Sequence, residues 1–102
     1  VDVSFRCLCG QPLGVRDYLA VADRFSGLVL RDIPILDDTS QNEARRLMWL
    51  VDALYDRGRF MIASAAAQVD RLYQGDRWGF EFERTCSRLQ EMAQMRGMQI
   101  NS

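Results

Sequence analysis

DDTSQNEARRLMWLVDALYDRGRFMIASA, residues Asp37 to Ala65, reads as one helix feeding one strand. Ser40 is placed to cap the helix, and Glu43 follows three residues later, the spacing of a capping box. Ala44, Leu47, Met48, Val51, Leu54 and Tyr55 fall at i, i+3, i+4, i+7, i+10 and i+11, so all six share one helical face. Arg57-Gly58 ends the helix with a cation at its negative end and a residue tolerant of positive φ. Phe60, Met61, Ile62 and Ala63 then form the short apolar run expected of a strand covered on both faces.

Upstream, Val1, Val3, Phe5, Cys7 and Cys9 alternate with Asp2, Ser4, Arg6 and Leu8, which predicts a strand over Val1–Cys9. Gly10-Gln11-Pro12 breaks it. A helix from about Gly14 to Phe25 follows, with Val15, Tyr18, Leu19, Ala22 and Phe25 as its stripe. Leu28-Val29-Leu30 is a second strand, extended through Arg31-Asp32-Ile33 and stopped by Pro34, which cannot donate to a ladder. Downstream, about Ala67 to Gln74 reads as a short helix with Val69, Leu72 and Tyr73 as contacts. Gly75-Asp76-Arg77-Trp78-Gly79 reads as a mobile or partner-contacting turn. Phe80 to about Met95 is the last helix, with Phe82, Cys86, Leu89, Met92 and Ala93 inward; Gly97 stops it, and Met98–Ser102 reads as a frayed end.

The order is β-α-β-α-β-α. That predicts a single α/β domain over residues 1–102, of three-layer type, with a small, mostly parallel sheet and right-handed crossovers. Ligands of such sheets bind outside the carboxyl ends of the strands, here expected at Gly10, Asp32 and Ser64.

Composition narrows the chemistry. Across 102 residues, 48% hydrophobic and 26% charged residues are ordinary for a globular chain. A net charge of −1 offers no basic field for nucleic acid and no polybasic membrane signal. No apolar run approaches the roughly 18–20 residues that span a bilayer. Histidine is absent, which removes imidazole catalysis and most zinc sites. All 13 basic residues are arginine, so a P-loop, Schiff-base or kinase-type lysine is impossible within these residues. Cys7, Cys9 and Cys86 lack a fourth ligand for metal and read as free thiols in a reducing compartment. The chain opens on Val1 in strand-like sequence, as a fragment of a longer protein would.

Four blocks in order carry a resemblance: FRCLCGQPLGVRDYLAVADRF, LVLRDIPIL, NEARRLMWLVDALYDRG and FEFERTCSRLQEM, spanning Phe5 to Met92. Together they resemble the C-terminal part of the ZapE-like ATPases, a family that includes mitochondrial relatives. The chain departs from the family pattern at Cys7, where an acid is usual, and at Ser26, often a histidine. It departs again at Ala66-Ala67-Gln68-Val69, where a Pro-Pro turn often stands, and it lacks the usual tyrosine-containing tail. The resemblance implies that the full-length protein is a P-loop ATPase using ATP and magnesium. The phosphate-binding half would lie upstream, and this fragment alone would not hydrolyse ATP. It also implies a cytoplasmic protein of the division site. The expected partners are an upstream ATPase domain and FtsZ or other division proteins, with self-association where a covering domain is missing.

Arg84 and Arg88 lie one turn apart on the last helix, so both guanidinium groups can address one site. In an oligomeric ATPase such a pair is a candidate nucleotide sensor, since an arginine on a phosphate stabilises transition-state charge. The competing role is pairing with Glu81, Glu91 or an upstream carboxylate. Asp32 and Ser64 are secondary strand-end candidates: an apolar strand running into an acid resembles a magnesium-binding strand, yet such ends occur throughout α/β proteins. Arg45 and Arg46 are candidates for contact with an anion, but the favoured reading is a surface one, with Arg46 paired on its own helix with Glu43 or Asn42. Asp52 and Asp56 are expected to be solvated, and Trp49 to face either a second contact surface or an interface with a missing domain. Two further classes remain: a stand-alone interaction module, and a receiver-type phosphoacceptor at Asp32, which would lack its paired acids and its lysine.

Overall fold

The computed structural model describes residues 2–66 and 71–95. Its elements are β1 (Asp2–Ser4), α1 (Phe5–Cys9), α2 (Val15–Arg24), β2 (Gly27–Ile33), α3 (Gln41–Asp56), β3 (Phe60–Ala65) and α4 (Gly79–Met95). The three strands form one parallel sheet in the order β1-β2-β3. The α/β class and the parallel sheet are as expected.

The first strand is shorter than its alternation predicts. Phe5 and Cys9 are buried, but Cys7 between them is exposed. A four-residue spacing satisfies a strand's period of two and a helix's i, i+4 equally well. Ser4 resolves the ambiguity: its Oγ accepts from the Cys7 amide at 3.2 Å, and the chain turns into α1. The end of β1 is therefore Ser4, and Gly10 instead closes α1, donating to Phe5 and Arg6 carbonyls.

Helix α3 lies between α2 and α4. Ala44, Leu47, Met48, Val51 and Leu54 are buried as expected, and so are Leu50 and Ala53, because α3 has neighbours on both flanks. Gly58 takes φ 66° and ends the helix where anticipated. Its start differs. The Ser40 side chain makes no bond to the α3 amides. Ser40 Oγ instead accepts from the Asp37 amide at 3.0 Å, closing a 3₁₀ turn over Asp38–Ser40 one step earlier.

Leu28 and Leu30 of β2 and Met61, Ala63 and Ala65 of β3 are buried beneath the helices. Val29, Phe60, Ile62 and Ser64, alternating with them, are only half-buried. The expectation that β3 is covered on both faces is thus corrected: among the described residues the helices close one face, and the other stays partly open.

Arg71–Gln74 is not α-helical. Tyr73 forms a parallel bridge with Leu36, through Leu36 N–H to Leu72 O and Gln74 N–H to Leu36 O, each 2.7 Å. Residues 67–70, Val69 among them, the side chain of Ala93 and the Met98–Ser102 end lie outside the described residues.

Candidate functional site

At the carboxyl edge of the sheet, Leu30 pairs with Ala63 but Ile33 pairs with Ala65, so β2 carries one extra residue there. Asp32 absorbs it at φ 64°, the left-handed region, which Asp tolerates better than most side chains. Its amide donates to Ser64 Oγ at 3.0 Å. The two strand-end candidates are therefore in contact, with the serine oxygen committed to the backbone. The Asp32 side chain is left exposed at the edge.

Arg84 and Arg88 also converge, on Asp52 of α3. Arg84 Nη2 lies 3.1 Å from Asp52 Oδ2, and Arg88 Nη1 pairs with Oδ1. Arg88 stacks over the Tyr55 ring, 4.6 Å from its centroid, and the Tyr55 hydroxyl donates to Glu91 at 2.8 Å. The two arginines differ in freedom: the Arg84 side chain is 61% exposed and that of Arg88 23%. Of the expected partners it is neither Glu81 nor Glu91 but the third alternative, an upstream carboxylate. Asp52, expected to be solvated, is the shared counter-ion, while Asp56 is exposed. One turn of α4 matches the two oxygens of one carboxylate across the helix interface.

A second acid, Asp38, organises the segment before α4. It accepts from the Tyr73 hydroxyl at 2.7 Å, the Asp76 amide at 3.1 Å and the Arg77 amide at 3.0 Å. The Arg77 amide bond first, then the Tyr73 hydroxyl and the Asp76 amide, hold the Asp38 carboxyl below its ordinary value. The Trp78 indole donates to Gln41 O at 3.2 Å, and Tyr73 stacks on Phe82. The Gly75–Gly79 turn is thus tethered to the front of α3, with Trp78 half-buried. A side chain at Gly75 would collide with Asp38.

Arg46 is 3.8 Å from Glu43, as expected, and also donates to Cys9 O at 3.2 Å, closing the end of α1. Arg45 donates to Asn42 and lies over Trp49. Burial pushes the Cys9 thiol up to about 12, so it is an inert core thiol.

The residues do not fit a P-loop nucleotide and magnesium site. The chain has no lysine. No group of three or more His, Cys, Asp or Glu side chains among the described residues could hold a metal ion. No helix among them is long and apolar enough to cross a membrane.

Comparison with known proteins bears on the whole chain. The family model of the AFG1-like ATPases matches residues 1–99. The chain is 42% identical to the cell division protein ZapE of Escherichia coli (strain K12) over 90 residues, 88% of this chain and 24% of that protein. It is 41% identical to lactation elevated protein 1 homolog B of Danio rerio over 81 residues, 78% of this chain and 16% of that protein. The chain thus spans about a quarter or less of the length of these relatives. No solved structure matches it.

Proposed function

The chain belongs to the AFG1-like ATPase family, and on that premise we propose that it is the C-terminal portion of a ZapE-like ATPase, completing a fold whose phosphate-binding half is supplied by other residues. The observation that carries this reading is the half-covered sheet. Helices shield Leu28, Leu30, Met61 and Ala63, while Val29, Phe60 and Ile62 on the opposite face are half-buried. Purely parallel sheets are covered on both faces in complete domains. An upstream ATPase domain is the natural cover. ATP and magnesium are cofactors of the full-length protein, bound outside this chain.

Arg84 and Arg88 are the nucleotide-sensing residues in this reading. Asp52 holds both on one side of α4, and the more exposed Arg84 is free to exchange that carboxylate for a phosphate. The relative named for cell division supports a role in division; a cytoplasmic location and FtsZ or other division proteins as partners belong to this proposal alone.

The test is steady-state ATP hydrolysis by the full-length protein. Arg84→Ala is expected to lower kcat at least about tenfold and leave ATP affinity unchanged, as loss of a charge made only in the transition state does. A variant that hydrolyses ATP at the parent rate would remove Arg84 from the mechanism.

A further inference from the structure

We propose that the crevice at the carboxyl ends of β1 and β2 binds a short peptide segment carrying an acidic and a basic side chain close together. The acid meets Arg6 and the base meets Asp32. The inference rests on the crevice alone and is independent of the ATPase reading.

Ser4, Phe5, Arg6, Asp32 and Pro34 line a crevice of about 360 Å³. A neighbouring one of about 490 Å³ shares Phe5, Arg6 and Pro34 and extends to Gly10, Gln11 and Glu43. Both volumes fall in the range of small-ligand clefts, at the edge of a parallel sheet where ligands bind. Phe5 and Pro34 supply apolar wall.

Several exposed charges of this molecule, Arg16 and Glu83 among them, pair with no other described residue; what sets Arg6 and Asp32 apart is that they are of opposite sign and line one crevice. Asp2 pairs with Arg31, Asp23 with Arg57, and Asp52 with Arg84 and Arg88. Arg6 and Asp32 line one crevice, are both exposed, and pair neither with each other nor with any other described residue. Asp32 is also the one described residue other than glycine at positive φ. Strained backbone of this kind collects at binding sites. Two opposite charges kept apart complement a ligand that brings one charge of each sign.

A polyphosphate fits poorly. The crevice has one cation, Arg6, beside one carboxylate, Asp32, and the neighbouring crevice that shares Arg6 adds a second carboxylate, Glu43. No lysine exists to add a second cation. The Cys7 amide in the first turn of α1 is already taken by Ser4. A mixed-charge peptide meets no such repulsion.

The test is an amide NMR titration of the 102-residue chain with Ac-Lys-Gly-Asp-NH₂ and with Ac-Asp-Gly-Lys-NH₂. The neutral Ac-Gln-Gly-Asn-NH₂ and sodium pyrophosphate serve as comparisons. At least one charged peptide should move the amides of Ser4–Gly10 and Asp32–Ile33 saturably. The neutral peptide should bind about tenfold more weakly, and Arg6→Gln and Asp32→Asn should each weaken the charged peptide about tenfold. Asn accepts the left-handed backbone, and the spectra themselves report folding. Should Asp32→Asn fail to fold, Arg6→Gln and the neutral peptide decide. Unmoved amides, equal binding of the neutral peptide, undiminished binding by Arg6→Gln, or saturation by pyrophosphate in place of the peptides would overturn the proposal.

Discussion

Asp38 accepts one hydroxyl and two backbone N–H groups from residues 35 to 39 positions away. Those bonds favour its charged form, so its folded pKa lies below the ordinary 3.8. A depressed carboxylate contributes stability fully above the unfolded value, and that contribution is lost as pH falls through the folded one. The urea midpoint should therefore drop as pH is lowered from about 6 to about 2.5, with the change concentrated below about 4. Asp38→Asn should lower the midpoint at neutral pH and flatten that acid limb. Asp37, shifted the same way by its bonds to Thr39, keeps part of the slope. At the Asp52 fork, exposure separates the partners. Arg88→Ala should cost about 1–2 kcal/mol, since it removes a half-buried charged bond and the stack on Tyr55. Arg84→Ala should cost less than about 1 kcal/mol, as exposed pairs do. Urea titrations of both variants check the order, and equal losses would contradict it. The spacing of Arg84 and Arg88 was legible in the chain, as was an upstream carboxylate among their possible partners; which carboxylate was not. Asp52 sits 32 and 36 residues away, and local periodicity carries no signal at that range.

At the level of elements, α3 and its exit were legible because a broad apolar stripe and an Arg-Gly stop agree with each other. The misreadings came where two periods coincide or two caps compete. Phe5 and Cys9 fit strand and helix alike, and the Ser4 cap settles the matter. Ser40 had two possible amide partners, and the one in the 3₁₀ turn wins. The Leu72–Gln74 segment looked helical from its apolar spacing, but its backbone pairs with Leu36, a tertiary contact that overrides local preference. Packing within the helices gives two opposite predictions. Leu50→Ala, in a fully buried position of α3, should cost about 2–5 kcal/mol through lost burial and a cavity. Thr85→Val on α4 should be neutral or stabilising by up to about 1 kcal/mol, because Thr85 is 1% exposed and its hydroxyl has no partner among the described residues. Thermal or urea unfolding of the two variants measures both, and a destabilised Thr85→Val would show that the hydroxyl is satisfied.

Across the whole molecule, the sheet divides a closed face from an open one. Val29 and Ile62 are register partners on the open side, and Phe60 lies against Gly27 beside them. Together with exposed Ile35 and Phe80, this surface should drive concentration-dependent self-association of the isolated chain. Light scattering should record the rise in mass, and Val29→Thr with Ile62→Thr should reduce it. This openness was not legible in the Phe60–Ala63 run, because an apolar run does not say which neighbours are supplied by the same segment of chain. The class of fold and the family blocks were legible, since both rest on patterns that extend through most of the sequence. The central claim is that this portion serves an ATPase without a nucleotide site of its own. Calorimetric titration of magnesium-ATP into the 102-residue chain and into the full-length protein tests it directly. Heat of binding from the full-length protein alone is the predicted result; saturable, tight binding by the isolated chain would contradict it.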